Sequence, residues 1–185
     1  MRPSRVWYLA YGSNVNPERL RLYLEGGVTE PGARDSTAPV RSAWRQLPFR
    51  LTFGLESQRW SGGGVAFVFP DRSGQAWFRA WDLTAEQFED VFAQENRLAV
   101  GTPLPWEELL AAPDQLDVGG RWYGRVFRVD DIGLDAPAFT FSATEAMPAN
   151  PPHEDYRGTI AAGLADHPLL ADDAIEAYLD ASSLA

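Results

Sequence analysis

Tyr8-Leu9-Ala10-Tyr11-Gly12-Ser13-Asn14 (YLAYGSN, residues 8–14) changes character half-way along. Val6 to Tyr11 is apolar and aromatic, the pattern of a short strand buried in a core. It ends in three small, hydrogen-bonding residues, and a helix signal follows almost at once. Asn16 suits an N-cap and Pro17 the first helical position, with ERLRLYLE running on to a stop at Gly26-Gly27. A strand, a small-residue turn and a helix N-terminus would together present backbone N–H groups at the positive end of a helix dipole, a setting for a carboxylate or phosphate. The same residues also make an ordinary strand-to-helix connection, because Gly, Ser and Asn are common in turns. It is not a phosphate loop of the Gly-Lys-Ser/Thr kind, since the chain has no Lys.

Outward from that turn, hydrophobic runs and breakers alternate. VRSAWRQL and FRLTFGLE read as strands around Pro48. SGGG (61–64) turns the chain into VAFVFP, a continuous apolar run of the kind buried on both faces. QAWFRAWDL is a further strand. Thr84 with Gln87 forms a capping box, and Glu86 sits in the first turn of a helix expected to reach about Asn96. Residues 99–120 read mainly as loop, with one helical turn around Trp106 to Leu110. RWYGRVFRV and AFTFSAT are strands. A helix is expected from about Glu154 to a stop at Pro168, and ADDAIEAYLDA makes a last short one. No repeat or linker divides the chain. Six or seven strands with four helices predict an α+β fold, a single domain over residues 1–185. Its sheet is expected to be mixed, mostly antiparallel and barrel-like, with flanking helices.

Composition narrows the function. At 185 residues, with 45% apolar and 23% charged residues, the chain can build one sizeable core. It contains no Cys, which removes disulfides, thiolate metal sites and a Cys nucleophile. Net charge is −10 and all sixteen basic residues are Arg. That balance disfavours nucleic acid or an anionic membrane as partner, and the lack of Lys removes Schiff-base chemistry. The N-terminus lacks the apolar segment of a signal peptide, and no run approaches membrane-spanning length, so a cytoplasmic, soluble protein is expected.

One carboxylate is out of place. On the helix from Ala85, Phe88, Val91 and Phe92 recur at core spacing, and the next position on that face is Glu95. Glu86, Glu89 and Asp90 fall mostly on the other face and read as solvated. Burial raises carboxyl pKa values, which suits general acid/base work near neutral pH. Alternatively the helix frays there and Glu95 pairs with Arg97. His153 and His167 adjoin proline-marked helix ends and suit surface or capping roles. Ser13 has no adjacent base and no Gly-x-Ser-x-Gly elbow, so it is not read as a nucleophile. Tyr156, one turn into its helix, lines either a pocket or the core. The Trp residues read as core, and no spacing suggests a metal cluster.

Tyr8 to Asn14, followed by Asn16-Pro17-x-Arg19-Leu20, resembles the opening motif of the γ-glutamylcyclotransferase family. VAFVFP, AWFRAWDLTAEQFEDVFAQEN and PPHEDYRGTIAAGLADH follow in that family's order, so the resemblance covers most of the chain. It implies a small mixed α/β barrel-like fold with a cavity at the Tyr-Gly-Ser-Asn turn. It also implies that Tyr8, Leu9, Ala10, Tyr11, Gly12, Ser13 and Asn14 line the site for a γ-glutamyl group. Glu95 would be the catalytic Glu and Tyr156 a substrate contact. The implied partner is a small γ-glutamyl substrate, with no metal and no cofactor. The family usually carries Gly after that Glu, whereas this chain has Asn96. The alternative expectation is a binding module that keeps the cavity and lacks turnover.

Overall fold

The structure is a computed structural model that describes residues 1–183; residues 184 and 185, part of the expected domain span, lie outside it. Strands β1 (Arg5–Ala10), β2 (Ser42–Leu47), β3 (Phe49–Gly54), β4 (Val65–Pro70), β5 (Ala76–Thr84), β6 (Gln115–Asp117), β7 (Arg125–Val129) and β8 (Ala138–Ser142) alternate with helices. The helices are α1 (Pro17–Glu25), α2 (Ala85–Glu95), α3 (Trp106–Ala111), α4 (Glu154–Leu164) and α5 (Asp172–Ser183). The fold is α+β, as the strand and helix signals predict. The chain groups into two compact units. One comprises Met1–Leu9, Arg21–Arg45 and Arg79–Thr144; the other comprises Ala10–Leu20, Gln46–Phe78 and the chain from Glu145 onward.

The first unit holds a six-stranded sheet in the order β2-β5-β1-β8-β7-β6, apart from the ends of β1, β2 and β5. β1 runs parallel to β8, while β8, β7 and β6 pair antiparallel, so the sheet is mixed. It is open and does not close into a barrel: β2 and β6 are its edges. β1 is central and buried from Val6 onward, as its apolar run requires. Phe88, Val91 and Phe92 of α2 are buried in this unit, and Phe88 lies within aromatic contact of Phe139 and Phe141 of β8. β6 falls in a segment expected to be loop. Three residues, Gln-Leu-Asp, carry no strand signal of their own. They pair because β7 offers an open edge, and Arg125 of β7 bridges to Asp117 of β6.

The second unit holds the antiparallel hairpin β3-β4, in register from Phe49↔Pro70 to Gly54↔Val65. β4 is buried from Val65 to Val68 and emerges at Phe69 and Pro70. α5 packs on β3, and α4 packs on α5 and on a 3-10 turn at Ser13–Val15. Phe67, Phe78, Ile160 and Leu179 are fully buried here. Among the described residues no helix is long and apolar enough to cross a membrane.

The two histidines separate. His153 caps α4, its side chain accepting from Asp155 N–H, in line with the sequence. His167 is instead buried, its ring 4.6 Å from that of Trp77 between centroids, and Nδ1 accepts from Leu169 N–H at 3.1 Å. Burial lowers its pKa from the ordinary 6.5. The unfolded chain then takes up the proton more readily than the folded one. The stability tied to neutral His167 is therefore present above that value and is lost as the pH falls through it. The urea midpoint should decline between about pH 7 and 5, and His167→Asn should flatten that decline. A wild-type midpoint constant across the window would contradict this.

Candidate functional site

β1 delivers the chain into the turn. Val15 N–H donates to Gly12 O at 3.0 Å and Asn16 N–H to Ser13 O at 3.0 Å, closing a 3-10 turn before α1 begins. Asn16 is the expected cap: its Oδ1 accepts from the N–H groups of Glu18 (2.9 Å) and Arg19 (3.4 Å). The first donors of α1 are taken up by Asn16, whose Oδ1 and backbone carbonyl accept from the N–H groups of Glu18, Arg19 and Leu20, so they are not open to an anion at the turn.

Tyr11, Ser13 and Asn14 are buried, and Tyr11 sits edge-on to Phe78 with ring centroids 5.8 Å apart. Gly12 sits in a tight space, where a side chain would press on its neighbours. A Cβ there would lie 3.0 Å from the hydroxyl of Tyr156 and 3.2 Å from the Cβ of Ala66. Tyr156, buried on α4, takes a hydrogen bond from Ala66 N–H at 3.1 Å. Its ring rests against Phe53 and, at 4.9 Å between centroids, Trp60. Two residues singled out far apart in the sequence, Gly12 and Tyr156, are thus brought together. Trp60, expected in the core, is half-buried on a 3-10 turn at Gln58–Trp60. No sequence signal marked it as a neighbour of Tyr156.

α4 is held against the turn by close backbone approach. A Cβ on Gly163 would lie 2.5 Å from Asn16 N. Asn16 Nδ2 also donates to Thr159 O on the same helix.

In the first unit, α2 opens with the predicted capping box: Thr84 Oγ1 accepts from Gln87 N–H, and Gln87 Oε1 accepts from Thr84 N–H. The helix does not fray at its far end. It holds to Glu95, which is half-buried, and closes with Leu98 N–H donating to Ala93 O and Arg97 N–H to Gln94 O. Arg97 adopts the left-handed conformation (φ 56°) at the position where Gly is usual, and its guanidinium lies over the Trp122 ring. Glu89 and Asp90, read as solvated, are buried at 3% and 0% exposure. Their charges are satisfied from outside the helix. Asp90 accepts from the N–H groups of Arg34 and Gly101 and from the Arg34 guanidinium. Glu89 accepts from the Trp106 indole at 2.6 Å and from Arg2 and Arg34. The Asp90 contact is the main reason the Arg34 pKa is raised.

Tyr8 and Leu9 lie in the same unit as Glu95. Tyr8 stacks on Phe141 at 5.3 Å and sits edge-on to Phe88 of α2, the helix that carries Glu95. Leu9 is fully buried, and its carbonyl accepts from Thr140 Oγ1 at 2.8 Å. Ala10 to Asn14 and Tyr156 lie in the second unit, with Ala10 fully buried.

No family model matches the chain. Over 203 aligned residues it is 34% identical to histone deacetylase 5 of Arabidopsis thaliana, spanning 95% of this chain and 30% of that protein. It is 27% identical over 120 residues to γ-glutamylcyclotransferase of Bos taurus, spanning 63% of this chain and 57% of that one. The chain therefore covers less than two thirds of either curated relative. Among solved structures, a γ-glutamyl cyclotransferase superposes with a TM-score of 0.62 at 21% identity, over 94% of this chain and 87% of the other. The fold is γ-glutamylcyclotransferase-like.

Proposed function

We propose that the protein cleaves a γ-glutamyl amide by intramolecular cyclisation, releasing 5-oxoproline and an amino acid or amine. The observation that carries this reading is the meeting of Gly12 and Tyr156 around a buried small-residue turn, within a fold of the γ-glutamylcyclotransferase type. In this reading the turn from Tyr8 to Asn14, with Tyr156, holds the γ-glutamyl group, and donors at Gly12 and Ser13 take its α-carboxylate. Glu95 removes a proton from the α-ammonium group. The freed amine attacks the γ-carbonyl, Glu95 returns the proton to the departing nitrogen as the C–N bond of the amide breaks, and the second proton of the attacking nitrogen passes to the released amine, leaving a neutral lactam and an ammonium product. Turn N–H groups stabilise the oxyanion. Atoms balance without water, a metal or a redox cofactor. The half-buried position of Glu95 at the end of α2 supports its role, because a proton carrier needs contact with substrate and shelter from bulk water.

The test is incubation with a panel of γ-glutamyl dipeptides and γ-glutamylamines, reading 5-oxoproline. Product from one class identifies the leaving group. Binding without product across the panel refutes the enzymatic reading and favours a binding module.

A further inference from the structure

Asn96 stands where the resembled family usually carries Gly, directly after Glu95, and it is one of the most thoroughly engaged side chains in the first unit. It is buried at 2% exposure. Its Nδ2 donates to Phe92 O at 3.2 Å, within α2, and to Tyr123 O at 3.3 Å. Its Oδ1 accepts from the N–H groups of Trp122 at 3.2 Å and Tyr123 at 3.0 Å. All of its amide capacity is directed at the end of α2 and at the loop before β7. The loop is shaped to receive it. Gly120 has a φ of 150°, and a Cβ there would lie 2.6 Å from Asn96 Oδ1, so the backbone passes where no other residue fits. Val118 N–H donates to Gly124 O, closing the loop on itself. Arg97 adds a second tie through the Trp122 ring.

A helix terminus is ordinarily where a helix frays, and a proton carrier on its last residue would inherit that motion. Here the last turn of α2 and the loop at residues 120–123 are joined into one piece, with Glu95 at the join. We propose that Asn96 is a positioning residue for Glu95: its four hydrogen bonds fix the backbone that aims the carboxylate, doing by a side-chain clamp what Gly would leave to backbone conformation. The proposal rests on the reading of Glu95 as the proton carrier.

Asn96→Ala and Asn96→Ser in the full chain test it. One readout is steady-state turnover, as kcat and KM, of whichever panel compound the wild type converts to 5-oxoproline. The other is the titration midpoint of the Glu95 carboxyl by 13C NMR, assigned with Glu95→Gln, which needs no turnover. Asn96→Ala should lower kcat by about ten- to a hundredfold with KM little changed, and should displace the Glu95 midpoint. Asn96→Ser, which keeps one donor and one acceptor, should recover part of both, and it carries the comparison if the Ala variant does not fold. Faster amide exchange at Trp122 and Tyr123 with kcat and the Glu95 midpoint at wild-type values would overturn the proposal and leave Asn96 a loop anchor only. If the wild type turns over nothing in the panel, the functional reading fails, and the Glu95 midpoint alone decides: displaced supports positioning, unchanged overturns it.

Discussion

Glu95→Gln is expected to lower 5-oxoproline formation by about a hundred- to ten-thousandfold, the range spanned by loss of a general acid/base, while γ-glutamyl substrate still binds. Gln keeps the size and hydrogen-bonding reach of Glu but cannot accept and return a proton at neutral pH. Both halves of the reaction fail together, because the same carboxylate frees the attacking amine and protonates the leaving one. Binding should survive, since the turn from Tyr8 to Asn14 and Tyr156 hold the γ-glutamyl group in this reading. Calorimetric titration with a γ-glutamyl compound and a 5-oxoproline assay on the same preparation separate the two effects. A variant that turns over at the wild-type rate would remove Glu95 from the mechanism.

Gly163→Ala should destabilise the protein by about 3 kcal/mol or prevent folding, at the upper end of overpacking costs. On propensity alone the sign would be opposite, because Ala favours a helix over Gly by about 1 kcal/mol. The new methyl would lie 2.5 Å from Asn16 N, 2.7 Å from Val15 C and 2.8 Å from Asn16 Cα. These are backbone atoms and cannot rotate away, so α4 must back off from the turn at Ser13–Val15. Gly158 on the same helix is the control, since a Cβ there meets nothing within 4 Å. Gly158→Ala should stabilise by roughly 0.5–1 kcal/mol. Urea midpoints of the two variants should move in opposite directions, and equal shifts would show that the close approach of α4 carries no energy.

Much of the fold was legible because its signals are local. Asn16-Pro17, the Thr84/Gln87 box and the Val65–Val68 run each announce their element within a few residues, and each is where it was expected. Failures came where the decisive partner is remote. Glu89 and Asp90 look solvated by helical spacing, but Arg34, Gly101 and Trp106 converge on them and make burial tolerable. β6 exists because β7 presents an edge, not because Gln-Leu-Asp favours a strand. His167 follows the same rule, buried by Trp77 instead of staying at the surface.

The candidate site divides in the same way. Residue type and period were enough to show that an apolar strand breaks at Gly12-Ser13-Asn14 and to single out Glu95 as the next position on an apolar stripe, but not to decide between a held and a frayed helix end there. Packing was needed to show that Tyr156 closes on Gly12, that α1 consumes its own first donors through Asn16, and that Asn96 ties the end of α2 to the loop at 120–123. The first and last of these are contacts between segments distant in the chain. Their formation depends on which backbones can approach closely, a property of packed elements that no local pattern encodes.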